Sequence, residues 1–162
     1  MKKQLKLTLL SCLLSIPAIT QAGPKDDIYR KGWIDFNKNG KMDIYEDPSA
    51  PIEERVKDLL SQMNMDEKTC QMATLYGSGR VLADALPTEK WKSEIWKDGI
   101  GNIDEEHNGL GKFGSEYAFP YAKHVKAIHD IQRWFVEETR LGIPVDFTNE
   151  GIRGVCHEKA TF

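Results

Sequence analysis

Oxygen-bearing side chains recur at alternate positions in the segment DFNKNGKMDIYE, which runs from residue 35 to residue 46. Counted as a twelve-residue loop, the segment has Asp or Asn at positions 1, 3, 5 and 9, Gly at 6 and Glu at 12. Ca²⁺ takes about 6–8 oxygen ligands, and a tightly turned loop with this spacing brings them to one point. The segment therefore predicts a calcium site made by Asp35, Asn37, Asn39, the backbone carbonyl of Lys41, Asp43 and Glu46.

Two features limit this prediction. Asn39-Gly40 could instead form a polar turn between two strands, which is the usual role of this dipeptide. Pro48 follows almost at once, and proline disfavours helix in the residue before it, so no complete helix-loop-helix unit is expected. The sequence contains no second loop of this kind, so we expect a single calcium loop with a structural role.

Other clusters of titratable residues are weaker candidates. The run Asp104-Glu105-Glu106-His107 could imitate a metal or acid–base cluster, but short acidic runs are usually solvated surface. His124 and His129 lie in a helical pattern and are expected on the surface or in packing contacts. Nothing determines the direction of His157 and Glu158. The sequence shows no Ser/His/Asp or Cys/His arrangement for nucleophilic catalysis.

Helical periodicity follows the loop. A stripe of apolar side chains at helical spacing predicts a helix that begins after Pro51 and contains Ile52, Val56, Leu59, Leu60 and Met63. Asn64, with Glu67 three residues later, is typical of the start of a second short helix from Met65 to about Gln71. We expect residues 80–99 to be weakly helical and Asn108–Tyr117 to be a loop.

Short apolar strands alternate with these helices, at Ala73–Tyr76, Ile100–Asp104 and Val145–Thr148. The clearest helix is predicted from about Tyr121 to Arg140, and it stops before Gly142 and Pro144. Its apolar line is expected to contain Val125, Ile128, Ile131 (or Gln132) and Phe135, and Trp134 is expected in the core. Alternation of strands and helices predicts an α/β fold with parallel strands.

Two segments resemble glycoside hydrolase family 3. RVKDLLSQMNMDEKTCQM, at 55–72, is similar to the opening helix pair of that family, V-x-D-L-L-S-x-M-T-x-E-E-K-x-x-Q-M. RLGIPVDFTNE, at 140–150, is similar to the segment that contains its third barrel strand, R-L-G-I-P-L-x-F-x-x-D/E. The resemblance covers roughly residues 48–162. The calcium-like loop and the Glu-Asp-Pro that ends it also resemble the entry segment of exported bacterial members.

The resemblance implies a (β/α)₈ TIM barrel that removes terminal β-linked sugars by a retaining mechanism, most commonly glucose or xylose. Glu150 stands where the family has the carboxylate that hydrogen-bonds the hydroxyls of the terminal sugar, although Asp is more usual there. An acid after a barrel strand also faces the active-site end of the barrel. A solvated loop acid is the alternative for Glu150. Arg153 stands where many members have His, so its role stays open.

The catalytic carboxylates that the resemblance implies are absent from the sequence. Retaining glycosidases need a nucleophile and an acid/base carboxyl about 5–5.5 Å apart. In this family the nucleophile is an Asp in a Ser-Asp-aromatic segment on a later strand, and no such segment occurs here. We therefore assign no catalytic residue in this chain and expect no catalytic cofactor.

Composition excludes several classes of protein. The chain has 162 residues, 40% hydrophobic and 29% charged, with a net charge of −3 and no basic run. It is therefore not expected to be disordered or to bind nucleic acid. Lys2, Lys3 and Lys6 precede an apolar run from Leu7 to Ile19, which is typical of a secretory signal peptide and too short to span a bilayer. We expect export to the periplasm or beyond, where Cys70 and Cys156 could pair.

The expected organisation has three parts: a signal peptide at 1–22, a segment with the calcium loop at 23–48, and the N-terminal part of a barrel at 49–162. A complete barrel takes about 250 residues, and three strands cannot close. We therefore expect the fold to be an incomplete TIM barrel whose partner is an oligosaccharide or β-glycoside. The alternative is an exported calcium- or carbohydrate-binding module without catalysis.

Overall fold

A computed structural model describes residues 27–76, 84–93, 97–104 and 114–149. Within these ranges the chain has five short strands and four α-helices, with two 3₁₀ turns at Ile44–Glu46 and Glu89–Ser93. The strands are β1 (Tyr29–Arg30), β2 (Trp33–Ile34), β3 (Thr74–Tyr76), β4 (Asn102–Asp104) and β5 (Asp146–Thr148). The helices are α1 (Ile52–Gln62), α2 (Met65–Cys70), α3 (Gly114–Tyr117) and α4 (Tyr121–Glu138). No helix in these ranges is long and apolar enough to cross a bilayer.

The helix pair after the loop has the predicted boundaries. The backbone at Pro51 caps α1, and Glu53 and Glu54 occupy its first turn, where acids favour the positive end of the helix. The Asn64 side chain accepts from the backbone N–H of Glu67, whose carboxylate accepts from the N–H of Asn64 in return. This reciprocal cap satisfies two N–H groups that the helix itself leaves unpaired, and it confirms the predicted start of α2.

Three strands form a parallel sheet in the order β3-β4-β5, which confirms the predicted parallel pairing. Leu75, Ile103 and Phe147 lie in one register row. Because side chains alternate between the two faces of a strand, this row lies on one face and the rows on either side of it face the other way. The apolar row packs against the core, so α4 lies on that face.

The core lies between this sheet and α4. It consists of Trp91, Ile100, Ile103, Ile131, Trp134, Phe135 and Val145. The rings of Trp91 and Trp134 meet edge to face with centroids 5.5 Å apart, which favours aromatic pairs beyond the area they bury. Phe135 and Ile131 are completely buried, and each contributes roughly 1.5–3 kcal/mol through removal from water.

Three predicted details are wrong, in α4, at residues 84–88 and at Gly114–Tyr117. The expected apolar line of α4 is wrong at its N-terminal end, where Val125 is 65% exposed, whereas Ile131, Phe135 and Trp134 are buried as expected. The apolar stripe that correctly predicted α1 is mostly exposed to solvent, at Ile52, Val56 and Leu60. Residues 84–88, which include Pro87, are not helical, and Glu89–Ser93 form only a 3₁₀ turn. Gly114–Tyr117 forms one helical turn rather than a loop.

Candidate functional site

The predicted calcium loop begins directly after β2 and ends with the 3₁₀ turn at Ile44–Glu46. Because β2 ends at Ile34 and the next elements are a 3₁₀ turn and helix α1, Asn39-Gly40 does not join two strands, and the alternative of a turn between strands is wrong. Asp35 and Glu46, the first and last loop residues, are each only 2% exposed. Gly40 has φ +79°, a conformation that favours glycine, and it allows the sharp turn that the motif requires.

Backbone donors converge on the loop carboxylates. Asp35 accepts from the N–H of Asn39 at 3.0 Å and of Gly40 at 2.8 Å. Glu46 accepts from the N–H of Asn37 at 3.2 Å and of Asp43 at 2.9 Å. These bonds close the loop from both ends.

The other ligand positions also meet inside the loop. The side-chain amides of Asn37 and Asn39 both donate to Asp43 Oδ2, the latter at 2.7 Å. Burial, together with the carboxylates of Glu46, Asp43 and Asp35, holds the pKa of the Tyr45 phenol well above its usual value. The phenol of Tyr45 is therefore buried close to the carboxylates of the loop.

The fit to a metal ion is incomplete in one respect. In the described part of the chain, no group of three or more His, Cys, Asp or Glu side chains is arranged to hold a metal. The motif draws its remaining ligands from asparagine and from the Lys41 carbonyl, which are oxygen donors suited to calcium. The loop therefore has the donor types that calcium needs, and calcium binding stays a prediction.

A second polar site lies on the sheet face turned away from the core. Thr148 Oγ1 donates to Asp104 Oδ1 at 2.8 Å and lies 3.2 Å from both the oxygen and the nitrogen of the Asn102 amide. Asn102 Nδ2 also lies 3.3 Å from Asp146 Oδ2. We call these four residues the polar sheet network. Asp104 and Thr148 are the last residues of β4 and β5, so the network reaches the carboxyl edge, where α/β enzymes bind ligands.

The network contains residues that the sequence did not single out as functional. Only Asp104 was considered, and it was assigned to a solvated acidic run. The available signal was the alternation of polar and apolar residues in Asn102-Ile103-Asp104 and Asp146-Phe147-Thr148. The register that places Asn102 beside Asp146 and Asp104 beside Thr148 is a tertiary property.

Several predicted site residues lie outside the described residues. Glu150 is two positions beyond the end of β5, and Arg153, Cys156, His157 and Glu158 follow it. Glu105, Glu106 and His107 are outside too. Cys70 has no disulfide partner among the described residues, and Cys156, with which it could pair, lies outside them. The side chain of His129 is 65% exposed, which confirms its expected place on the surface.

Helix α4 and the motif around Arg140 position β5. The Gln132 side chain donates to the carbonyl of Val145 and accepts from its N–H, both at 2.8 Å. Arg140 donates to both oxygens of the buried Glu67 on α2 and to the carbonyl of Gln62. Burial raises the pKa of Glu67, but the bonds from Arg140 and from the N–H of Asn64 outweigh it, so the pKa lies below its usual value. These contacts join the two sequence segments that carry the family resemblance.

Two concavities flank these elements. One, of about 280 Å³, is lined mainly by apolar side chains of α1 and of Leu141–Pro144, which offer little to a sugar. The other, of about 530 Å³, lies between α4 and β5. Its lining includes His124, His129, Gln132 and Thr148, so it has polar groups near the carboxyl end of β5.

Comparison with known proteins gives one significant similarity. The chain is 32% identical over 114 residues to a curated protein of Formosa agariphila named "Putative beta-xylosidase". The aligned part is 68% of this chain but only 14% of the length of that relative. No profile of a known protein family matches the chain. The relative's name agrees in kind with the glycosidase resemblance, and membership of family 3 stays a prediction.

Proposed function

We propose that this chain is the N-terminal part of an exported glycoside hydrolase that resembles family 3 and acts on terminal β-linked xylose or glucose. The similarity to the Formosa agariphila protein carries the proposal, and its name favours xylose. The two resembling segments, 55–72 and 140–150, are in direct contact, because Arg140 donates to Glu67 and to the carbonyl of Gln62. The substrate is therefore a carbohydrate, an oligosaccharide or a simple β-glycoside.

The arrangement of the sheet supports an incomplete barrel. Its three parallel strands lie in the order β3-β4-β5 with α4 packed on one face, which is the arrangement of consecutive strands in a β/α barrel. The face of the sheet away from α4 is polar, as expected for the ligand end of a barrel interior. The network and Glu150 would then bind sugar hydroxyls, while the nucleophile and the acid/base of a retaining mechanism come from elsewhere in the full-length protein.

Hydrolysis of aryl β-xylosides and aryl β-glucosides tests the proposal. The full-length gene product should hydrolyse at least one of them with retention of anomeric configuration, and the 162-residue chain should not. Activity of this chain alone would contradict the assignment of roles. A full-length product that hydrolyses neither substrate would favour a non-catalytic carbohydrate- or calcium-binding module.

Glu150→Gln in the full-length protein tests the substrate-binding role. Loss of a charged hydrogen bond to a sugar hydroxyl should lower kcat/KM by about 10–100-fold. Glu54→Gln, on the exposed surface of α1, is the matched control and should change it less than about twofold. Equal effects of the two substitutions would assign Glu150 to the solvated loop acids.

Export is a separate part of the proposal. The basic start and short apolar run at 1–22 support cleavage after the small and polar residues Thr20-Gln21-Ala22. N-terminal sequencing of the protein secreted by a bacterial host should find a mature chain that begins near Gly23. A cytoplasmic protein that keeps Met1 would contradict export.

A further inference from the structure

The side chain of Gln132 makes two hydrogen bonds to one residue at the start of β5. Its Nε2 donates to the carbonyl of Val145, and its Oε1 accepts from the Val145 N–H, both at 2.8 Å. Val145 is only 2% exposed, so its backbone groups need partners within the protein. One side-chain amide therefore satisfies both backbone groups of a buried residue.

These two backbone groups lie on the edge of β5 that faces away from β4. The N–H of the next residue, Asp146, donates to the carbonyl of Gly101, which directly precedes β4. Backbone groups of successive residues in a strand point to opposite edges, so those of Val145 point away from β4. A neighbouring strand would offer one donor and one acceptor at this edge, and the Gln132 amide supplies the same two groups. Gln132 thus replaces a strand contact and fixes the start of β5 to α4.

The residues that follow Val145 are those that the proposed function assigns to the sugar. Thr148 ends β5 and belongs to the polar sheet network, and Glu150 comes two positions later in the sequence. At about 3.3 Å per residue, Thr148 lies only about 10 Å along the strand from Val145. A shift of the start of β5 along α4 is therefore transmitted to the carboxyl end of the strand, where binding groups must be held within about 0.5 Å.

We propose that Gln132 is a positioning residue for the glycosidase site, because its amide sets the position of β5 along α4 and thereby that of Thr148 and Glu150. This inference rests on the proposed function, since it takes the carboxyl end of β5 as the place where the sugar binds. Gln132 itself does not contact the substrate, and its effect passes through the backbone of Val145. Loss of its two bonds should therefore weaken substrate binding more than it slows the chemical step.

Gln132→Met in the full-length protein tests this role, because methionine has a similar length but neither a donor nor a strong acceptor. We expect KM for the aryl β-glycoside to rise about 5–10-fold and kcat to change less than about threefold. A merely structural role would lower kcat through loss of folded enzyme and leave KM unchanged. Lys126→Met, on the exposed surface of the same helix, is the matched control and should alter both constants less than about twofold.

Gln132→Glu gives a second test, through pH. A protonated carboxyl can donate to the Val145 carbonyl and accept from its N–H, whereas a carboxylate can only accept and repels that carbonyl. The kcat/KM of this variant relative to wild type should therefore rise about threefold or more as the pH falls from about 7 to about 5. The titratable side chains that line the same concavity, His124 and His129 of α4, are present in both proteins, so the ratio removes their effect. A ratio that stays constant with pH would contradict the two-bond role.

Hydrogen exchange of the full-length protein distinguishes the ways in which the inference could fail. Gln132→Met should speed exchange of the Val145 amide about tenfold or more, while that of Asp146, which bonds to Gly101, should change less than about threefold. A Val145 amide that stays protected would overturn the role of Gln132, and so would lost protection with unchanged KM in an active protein. A wild-type protein that hydrolyses neither glycoside would overturn the proposed function and this role together, and the exchange difference would then identify a purely structural contact.

Discussion

The loop at 35–46 and the polar sheet network are both polar clusters, but they are built in opposite ways. The loop residues contact one another over at most nine positions of sequence, as in the bond from Asn37 to Glu46. The network joins residues 44 to 46 positions apart, such as Asn102 with Asp146 and with Thr148. The loop therefore depends mainly on local sequence, whereas the network exists only where the strands are in register.

The first way to separate the two regions is to remove the core beneath the sheet. Phe135→Ala deletes a completely buried ring of α4 and should lower the free energy of unfolding by about 3–5 kcal/mol. Urea unfolding followed by tryptophan fluorescence measures this, since Trp91 and Trp134 lie in the same core. Val125→Ala, on the exposed side of the same helix, should cost less than about 1 kcal/mol. A similar loss for both would mean that the sheet region has no tightly packed core.

A smaller effect is expected at the joint between α2 and the segment before β5. Glu67→Gln keeps the shape and the helix cap but removes the charge that binds Arg140, so it should cost about 1–2 kcal/mol at pH 7. Because Arg140 is half exposed, solvent screening reduces the loss. Asp66→Asn, in the same turn but exposed, is the matched control and should cost roughly 0.3–1 kcal/mol.

The pH dependence of this difference follows from the lowered pKa of Glu67. A carboxyl whose pKa is lower in the folded than in the unfolded chain stabilises the fold above its unfolded pKa, about 4.3. That contribution disappears as the pH falls through the folded value. The wild-type advantage over Glu67→Gln should therefore be constant from pH 7 to about 5 and should shrink below about 4.3. Urea midpoints measured across pH 3–7 that stay a constant distance apart would contradict the ionic role.

The same contrast decides what could be read from sequence. The cap at Asn64, the start of α1 after Pro51 and the loop from Asp35 to Glu46 are local patterns, and the first two are confirmed. The three strands of the parallel sheet were located within about two residues, and their parallel pairing followed from their alternation with helices. The antiparallel pair β1–β2 was not predicted. The ion pair between Arg140 and Glu67 and the polar sheet network were not predicted. Contacts between residues more than forty positions apart leave no local pattern in the sequence.

The sequence also did not show which apolar residues of a correctly predicted helix are buried. Val125 and Ile131 are both apolar and both lie in the periodic stripe of α4, but only Ile131 reaches the core. The stripe of α1 is equally clear, yet Ile52 and Val56 are exposed. Periodicity identifies a helix and its apolar surface, but which part of that surface is covered depends on the neighbours that pack there.

The smallest expected effect concerns the network itself. Thr148→Val removes the hydroxyl that joins Asp104 to Asn102 and retains a β-branched side chain suited to a strand. Because these groups are accessible to water, the free energy of unfolding should change by less than about 0.5 kcal/mol. If the network faces the sugar, the same change should raise KM of the full-length protein for aryl β-xyloside by about 5–10-fold. Thr74→Val, on the same face of β3, should alter neither quantity, and an unchanged KM in Thr148→Val would show that the network does not contact substrate.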